Sequence, residues 1–160
     1  MPWARMATGP QMEAPMNEEL VVLSNKTVKY LSDATIVAHM AHWNVRGPNF
    51  YEAHLMFDRV YGDLDGLMDA LVETLRTCGF NPDFNLFSGP GISMEYFDAN
   101  SLVDLVRDYT MALNSAIALF SAFCNRNSQD PRIVGINNHL QGMAETVTND
   151  LYLLQAWSGH

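Results

Sequence analysis

Length, composition and charge describe one acidic domain of ordinary size. The chain has 160 residues, 48% hydrophobic and 17% charged, which fits a single compact core. The net charge of -9 disfavours nucleic-acid binding, because phosphate neutralisation dominates such affinity. No apolar run can span a bilayer and no secretory signal is recognisable, so we expect a cytoplasmic protein. Two cysteines give neither a disulfide framework nor a zinc pattern.

The first segment and the first helix differ in composition. Residues 1–16 mix prolines, a glycine and several methionines, and are predicted to form an irregular N-terminal arm. A first helix is predicted from about Asn17 to Asn44, because apolar residues recur near the helical period and Asn17 offers a cap. Residues 17–160 are therefore predicted to form one domain.

The second helix is predicted to run from Asn49 to Cys78. It follows a Gly-Pro pair that indicates a chain reversal, and Gly79 is expected to end it. Asn49 and Glu52 have the spacing of a capping box.

Two more helices follow a long connection. Residues 80–100 are rich in proline, glycine and aromatics, which favours a crossover over a helix. A third helix is predicted from Ser101 to about Asn127, and a fourth from Asp130 and its following proline to about Trp157. The sequence thus predicts an all-α four-helix bundle, with one long crossover between the second and third helices.

Four residues with metal-binding side chains share one face of the second helix: His54, Asp58, Asp69 and Glu73. At about 100° per residue, Asp58, Asp69 and Glu73 lie roughly 40°, 60° and 100° around the helix axis from His54. The two aspartates are about 16 Å apart along the axis, at roughly 1.5 Å per residue, so one ion cannot reach both. The outer pair, His54 and Glu73, and the inner pair, Asp58 and Asp69, share one midpoint in the sequence, between residues 63 and 64. A twofold axis there would bring His54 against Glu73, and Asp58 against Asp69, of an antiparallel second copy.

Neighbouring residues support this shared site. Gly62 and Gly66 lie near the supposed axis and would let two backbones approach closely; the alternative is a solvated polar face with two permissive glycines. His42 is placed to fold back towards His54, and two imidazoles with carboxylates suit iron or zinc. The chain has no Glu-x-x-His motif, which disfavours a di-iron site within one chain.

The stretch from His42 to Gly79 resembles the signature of the Dps miniferritins, a ferritin-like family. The matching features are His-Trp-Asn-Val-Arg-Gly, Ala-His, Phe-Asp, the later Asp and Glu, and a closing Cys-Gly. Residues 150–157 are similar to the aromatic-rich end of the family's last helix. The resemblance implies a ferroxidase centre between two subunits, one chain supplying the first set of ligands and the other the second: His42, His54 and Asp58, then Asp69 and Glu73.

The resemblance also implies a function. It suggests a hollow homododecamer that oxidises Fe(II), preferably with hydrogen peroxide, and stores ferric mineral, which protects against oxidative damage; zinc would be a substitute metal. One alternative is a non-enzymatic oligomeric scaffold or nucleoid-packing shell with a structural metal site. Another is a helical binding module that stays small. DNA binding in the family usually depends on a lysine-rich tail, and because the arm here offers only Arg5, we expect none.

Four further positions bear on this interpretation. Trp43 either intercepts oxidising equivalents beside the metal or simply packs, and His39 either binds an additional ion or lies at a surface. Asp130 alone remains acidic where the family lines its threefold channels with carboxylates. Thr74 replaces the arginine that commonly follows the family's glutamate, so an ion pair that braces assembly is missing.

Overall fold

Four helices form the structure, a computed structural model that describes residues 14–80 and 95–159. No strand occurs within those two ranges, which confirms the predicted all-α class and four-helix bundle. The helices have the following bounds: α1 (Ala14–Asn44), α2 (Phe50–Thr77), α3 (Ala99–Arg126) and α4 (Pro131–Trp157).

Each helix packs against two others. Helix α1 contacts α2 and α3, α4 contacts α3 and α2, and α2 barely touches α3. The predicted crossover therefore connects two helices at opposite corners of the bundle, although most of it, residues 81–94, lies outside the described residues. Within the described part of the chain, no helix has the length and hydropathy needed to cross a membrane.

The starts of α1 and α2 differ from the prediction. Helix α1 begins at Ala14, so Asn17 lies inside it and is not its cap, and the end of the predicted arm is helical. Residues 1–13 are outside the described ranges. Asn49 precedes α2 in a left-handed conformation, with φ 62° and no side-chain cap hydrogen bond. The predicted capping box with Glu52 is therefore wrong, because a capping side chain reaches its amide from an extended backbone.

The end of α2 is as predicted. Gly79 has φ 85°, the left-handed conformation that glycine adopts without strain. The amide of Phe80 donates to the carbonyl of Leu75 at 3.0 Å, and the amide of Gly79 to that of Arg76 at 3.0 Å. These two bonds form a Schellman motif, which satisfies carbonyls that the helix end leaves open.

Aspartates cap the two later helices. Asp98 accepts a hydrogen bond from the Ser101 amide at 2.9 Å, so α3 begins at Ala99, before the predicted start at Ser101. Asp130 accepts from the Arg132 amide at 2.9 Å, and the proline between them starts α4 as predicted.

The core fixes the orientation of α2. Its buried positions recur at the helical period: Ala53, Phe57, Val60, Leu64, Leu71 and Leu75. Burying each of the large side chains stabilises the fold by roughly 1.5–3 kcal/mol, so rotation of α2 about its axis would be costly. The face that carries the predicted metal ligands is therefore held away from the core.

Candidate metal centre

Two histidines meet where α1 turns into α2. His42 lies in the last turn of α1 and His54 in the second turn of α2, and their rings stack with centroids 3.9 Å apart. Nδ1 of His42 lies 3.0 Å from the His54 carbonyl oxygen, and Nδ1 of His54 lies 2.9 Å from the His42 carbonyl oxygen. His42 thus folds back onto His54, as the sequence suggested, and backbone groups hold both rings.

These hydrogen bonds determine which nitrogen of each ring carries the proton. A carbonyl oxygen only accepts, so Nδ1 of both His42 and His54 must donate. In a neutral imidazole the other nitrogen, Nε2, then keeps its lone pair. A backbone carbonyl on the non-ligating nitrogen is the usual arrangement for a metal-binding histidine. Both rings are therefore prepared to bind a metal through Nε2.

We call the face of α2 that carries His54, Asp58, Asp69 and Glu73 the stripe. Its carboxylates are exposed and fall into two groups. Asp58 follows His54 by one turn, and Glu73 follows Asp69 by one turn, with the middle of α2 between the groups. Among residues 14–80 and 95–159, no three histidine, cysteine, aspartate or glutamate side chains come close enough to hold a metal ion. Within one chain, the predicted ligands therefore form two separate groups, neither of which could hold a metal ion alone.

The surface between the two sets is open. A Cβ added at Gly62 or at Gly66 would meet no described atom within 4 Å. Tyr51 lies two turns before Asp58, and Leu55 lies two turns before Gly62, so both share this face of α2. Their side chains are 65% and 47% exposed. Exposed apolar side chains beside an uncovered helix face are typical of association surfaces.

An aromatic cluster surrounds the histidine pair. His39 lies between Trp43 and Tyr61, with ring centroids 3.9 Å and 4.0 Å away. Phe50 stacks on His54 at 5.2 Å. Trp43 is 67% exposed, so it rests on His39 with most of its indole in solvent. Sequence reasoning missed Tyr61, although its spacing of two turns from His54 was a usable signal.

A cleft of about 370 Å³ borders the Glu73 end of the stripe. Cys78 and His139 also line it. Burial raises the pKa of the Cys78 thiol and lowers the pKa of His139, so both are neutral at pH 7. Both cysteines are free thiols.

The remaining predicted positions are engaged locally. Asp130 accepts from Nε and Nη2 of Arg132 at 3.1 Å and 2.7 Å, and these bonds lower the pKa of Asp130. Its charge is therefore balanced, and a role in attracting iron stays a prediction. Thr74 donates from Oγ1 to the Ala70 carbonyl at 2.8 Å, so the position after Glu73 presents no charge.

Comparisons with known proteins agree with this architecture. A family model described as a ferritin-like domain matches residues 24–125. The chain therefore belongs to the ferritin-like family. Within that family, its relatives include Dps proteins.

Two curated relatives share the name DNA protection during starvation protein. The one from Brevibacillus brevis is 32% identical over 71 residues, which cover 44% of this chain and 48% of that protein. The one from Streptococcus suis is 29% identical over 94 residues, covering 59% of this chain and 51% of that protein. The matched part thus spans about half the length of these relatives.

Two solved structures show the same fold. A Dps protein from Vibrio cholerae O1, described as a ferritin-like diiron-carboxylate protein, has a TM-score of 0.79 at 19% identity, covering 95% of this chain and 97% of that one. Dps from Bacillus brevis has a TM-score of 0.76 at 21% identity, covering 91% and 99%.

Proposed function

We propose that this chain is the subunit of an iron-storage cage that oxidises Fe(II) at sites shared between two copies. The observation that carries the proposal is the reciprocal bonding of His42 and His54 to each other's backbone carbonyls. It leaves two imidazole nitrogens ready to bind a metal beside a carboxylate one turn away, Asp58.

A second copy would complete each site. With α2 antiparallel to its mate and a twofold axis between residues 63 and 64, the set of His42, His54 and Asp58 would receive Asp69 and Glu73 of the partner subunit. The open glycine face allows the close approach that this requires. Twofold interfaces are self-complementary, so each pair of chains would build two equal sites.

The donor set suits the oxidation of iron. Imidazole and carboxylate ligands bind Fe(II), and the added negative charge of the carboxylates favours Fe(III). With hydrogen peroxide as the oxidant, two Fe(II) and two protons would give two Fe(III) and two water molecules. Fe(III) hydrolyses and precipitates unless it is confined, so the proposed assembly is a closed shell, a dodecamer, that holds the mineral inside.

This chemistry would protect a cell without contact with DNA. Fe(II) and peroxide together produce hydroxyl radicals, and the reaction consumes both. The net charge of -9 opposes binding to a polyanion. We therefore propose that protection of DNA, which the names of the relatives indicate for those proteins, is achieved here by removing the reagents.

Subunit mixing tests the shared site directly. One variant carries His54→Ala and Asp58→Asn, and the other carries Asp69→Asn and Glu73→Gln. Each variant alone should oxidise Fe(II) only at the uncatalysed rate after peroxide is added anaerobically. When the two are refolded together, half of the pairs are mixed and each mixed pair has one intact site. The rate should then recover to about a quarter of the wild-type value.

The control is Glu52→Gln, which removes an exposed carboxylate from another face of the same helix. It should leave the rate unchanged. Failure of the mixed assembly to recover activity would exclude sites shared between copies. Unchanged rates in both separate variants would exclude these residues from the oxidation site. A wild-type rate no faster than the uncatalysed one, with assembly that depends on the stripe, would favour the alternative, a non-enzymatic shell in which the stripe only braces the interface.

A further inference from the structure

The cleft at the Glu73 end of the stripe is large enough to receive an aromatic side chain. It has a volume of about 370 Å³ and lies between the end of α2 and the first half of α4. An apolar cavity of about 150 Å³ already binds benzene in another protein. The cleft therefore has room for a phenyl ring.

The walls of the cleft suit an apolar occupant. The hydroxyls of Thr74 and Thr77 donate to carbonyl oxygens of their own helix, each at 2.8 Å. The Cys78 thiol donates to a carbonyl oxygen of α4 at 3.8 Å. Among the described residues that line the cleft, Glu73 alone is charged, because burial lowers the pKa of His139. Apart from Glu73, the lining thus requires no polar partner from outside.

The register of the proposed pair brings one particular ring to this cleft. This step rests on the proposed function, from which it takes the twofold axis that sets His54 against Glu73 of the partner subunit. Phe50 lies four residues before His54, and Thr77, which lines the cleft, lies four residues after Glu73. The same antiparallel register therefore places Phe50 at the cleft of the second copy.

The other exposed apolar residues nearby do not match the cleft. By the same register, Tyr51 falls opposite Arg76 and Leu55 falls opposite Val72. Neither Arg76 nor Val72 is among the described residues that line the cleft. Phe50 is 44% exposed in the single chain, so its ring still has apolar surface to bury.

We propose that Phe50 of each chain inserts into the cleft of its partner and thereby positions His54 beside Glu73. Phe50 stacks on His54, with ring centroids 5.2 Å apart, so seating the phenyl ring also fixes one face of the imidazole. The contact occurs twice in each pair, because a twofold interface is self-complementary. Aromatic side chains that fill pockets are typical sites of strong binding energy in interfaces.

Thiol cross-linking tests where position 50 lies. Cys78 is a free, partly exposed thiol that lines the cleft, and Phe50→Cys supplies a second thiol. Within one chain the two positions are roughly 40 Å apart along α2, at about 1.5 Å per residue, so a short bismaleimide can join them only between chains. Most chains of Phe50→Cys should become covalent dimers on a denaturing gel. Adding Cys78→Ala should abolish the dimers.

The matched control for cross-linking is Tyr152→Cys, which alters an exposed aromatic side chain on α4. It should give few covalent dimers under the same conditions.

Truncation tests the contribution of the ring itself. Phe50→Ala should raise the protein concentration at which assemblies dissociate on dilution by roughly tenfold or more, as measured by light scattering. Phe50→Leu keeps most of the apolar surface and should restore most of the loss. Tyr152→Ala should dissociate like the wild type. Folding is not at stake in these variants, because both side chains are exposed in the single chain.

The outcomes separate this inference from the function on which it rests. If subunit mixing restores oxidation but Phe50→Cys gives no dimer that depends on Cys78, the shared site stands and the inserted ring is wrong. If mixing fails as well, the shared site and this inference fall together. Unchanged dissociation of Phe50→Ala would also overturn the inference.

Discussion

Two faces of α2 carry acidic residues, and the chain treats them in opposite ways. On the stripe, Asp58, Asp69 and Glu73 are exposed and lie beside glycines that no described atom approaches. On the seam, by which we mean the line along which α2 packs against α4, Asp63 of α2 lies close to Asp150 of α4. Asp150 is fully buried within the same chain. The carboxylates on the stripe are accessible to a second copy of the chain. Asp150 is not, so its charge must be balanced by a counter-ion or removed by a proton within one chain. The same residue type is thus proposed to serve assembly on one face and carries an energetic cost on the other.

Filling the open stripe should have the largest effect. Gly62→Leu places a bulky side chain where two α2 helices are proposed to cross, while the chain itself has room for it. Helical content should be kept, because leucine favours a helix over glycine by roughly 1 kcal/mol. Light scattering should show particles that fall apart towards the single-chain mass of 17.9 kDa. Catalysed Fe(II) oxidation should be lost at the same time.

Gly142→Leu is the matched control for that variant. Gly142 is also an open glycine in the middle of a helix, but on α4, away from the stripe. It should keep the twofold pair and its oxidation rate. A Gly62→Leu protein that assembles and oxidises Fe(II) normally would contradict the proposed crossing of the two helices.

Removing one imidazole should have the next largest effect. His54→Ala deletes a proposed ligand, but the backbone carbonyl that accepts from His42 stays in place. We expect the initial rate of peroxide-driven Fe(II) oxidation to fall by at least roughly 10–100-fold, the loss typical of removing only an outer-shell partner of a ligand, with assembly unchanged. Stopped-flow absorbance measures the rate and light scattering the mass. A normal rate would remove His54 from the site.

The pattern of helices was readable from the sequence, whereas tertiary hydrogen bonding was not. Asp130 was recognised as a cap because a proline follows it, but Asp98 was missed because it was assigned to the crossover. The left-handed conformation of Asn49 depends on the preceding turn, which no local rule specified. The side chains of the stripe followed from spacing alone. The exchange of bonds between His42 and His54 did not, since it requires two helices to be placed.

The acid of the seam was overlooked although a signal existed. Asp150 lies three residues after Val147 and four before Leu154, both fully buried, so it falls on the core face of α4. A charged residue at such a position breaks the apolar pattern of the helix, and exceptions of this kind are expected at functional or strained sites. Its partner on α2 was not predictable, because the pairing of Asp63 with α4 depends on the rotation of both helices.

Stability against pH separates the seam from the stripe. The pKa of Asp150 is raised to about 7 in the folded chain, mainly by burial, above its ordinary value of 3.8. The folded state therefore holds a proton that the unfolded chain releases between these values, and stability is lost as the pH rises through them. Asp150→Asn removes this loss. The variant should gain roughly 2–4 kcal/mol over the wild type between pH 5 and pH 8.

Denaturant unfolding at the two pH values measures that difference. Both proteins should carry Gly62→Leu, so that unfolding does not depend on assembly. Glu145→Gln in the same background should follow the wild type at both pH values, since it lies exposed on the same helix. Equal pH dependence with and without Asp150→Asn would show that the buried carboxyl does not titrate in this range.

The smallest expected effect concerns DNA, where the acids of both faces act together. These acids contribute to a net charge of -9 for the whole chain, and the arm offers Arg5 as its only cation. Because neutralisation of phosphates supplies most of the affinity for duplex DNA, the intact protein should not retard plasmid in a gel at neutral pH and physiological salt. Neutralising the stripe with Asp69→Asn and Glu73→Gln should leave this result unchanged, since most of the negative charge remains. A salt-sensitive shift by the unmodified protein would contradict this expectation, and protection would then involve direct contact with DNA.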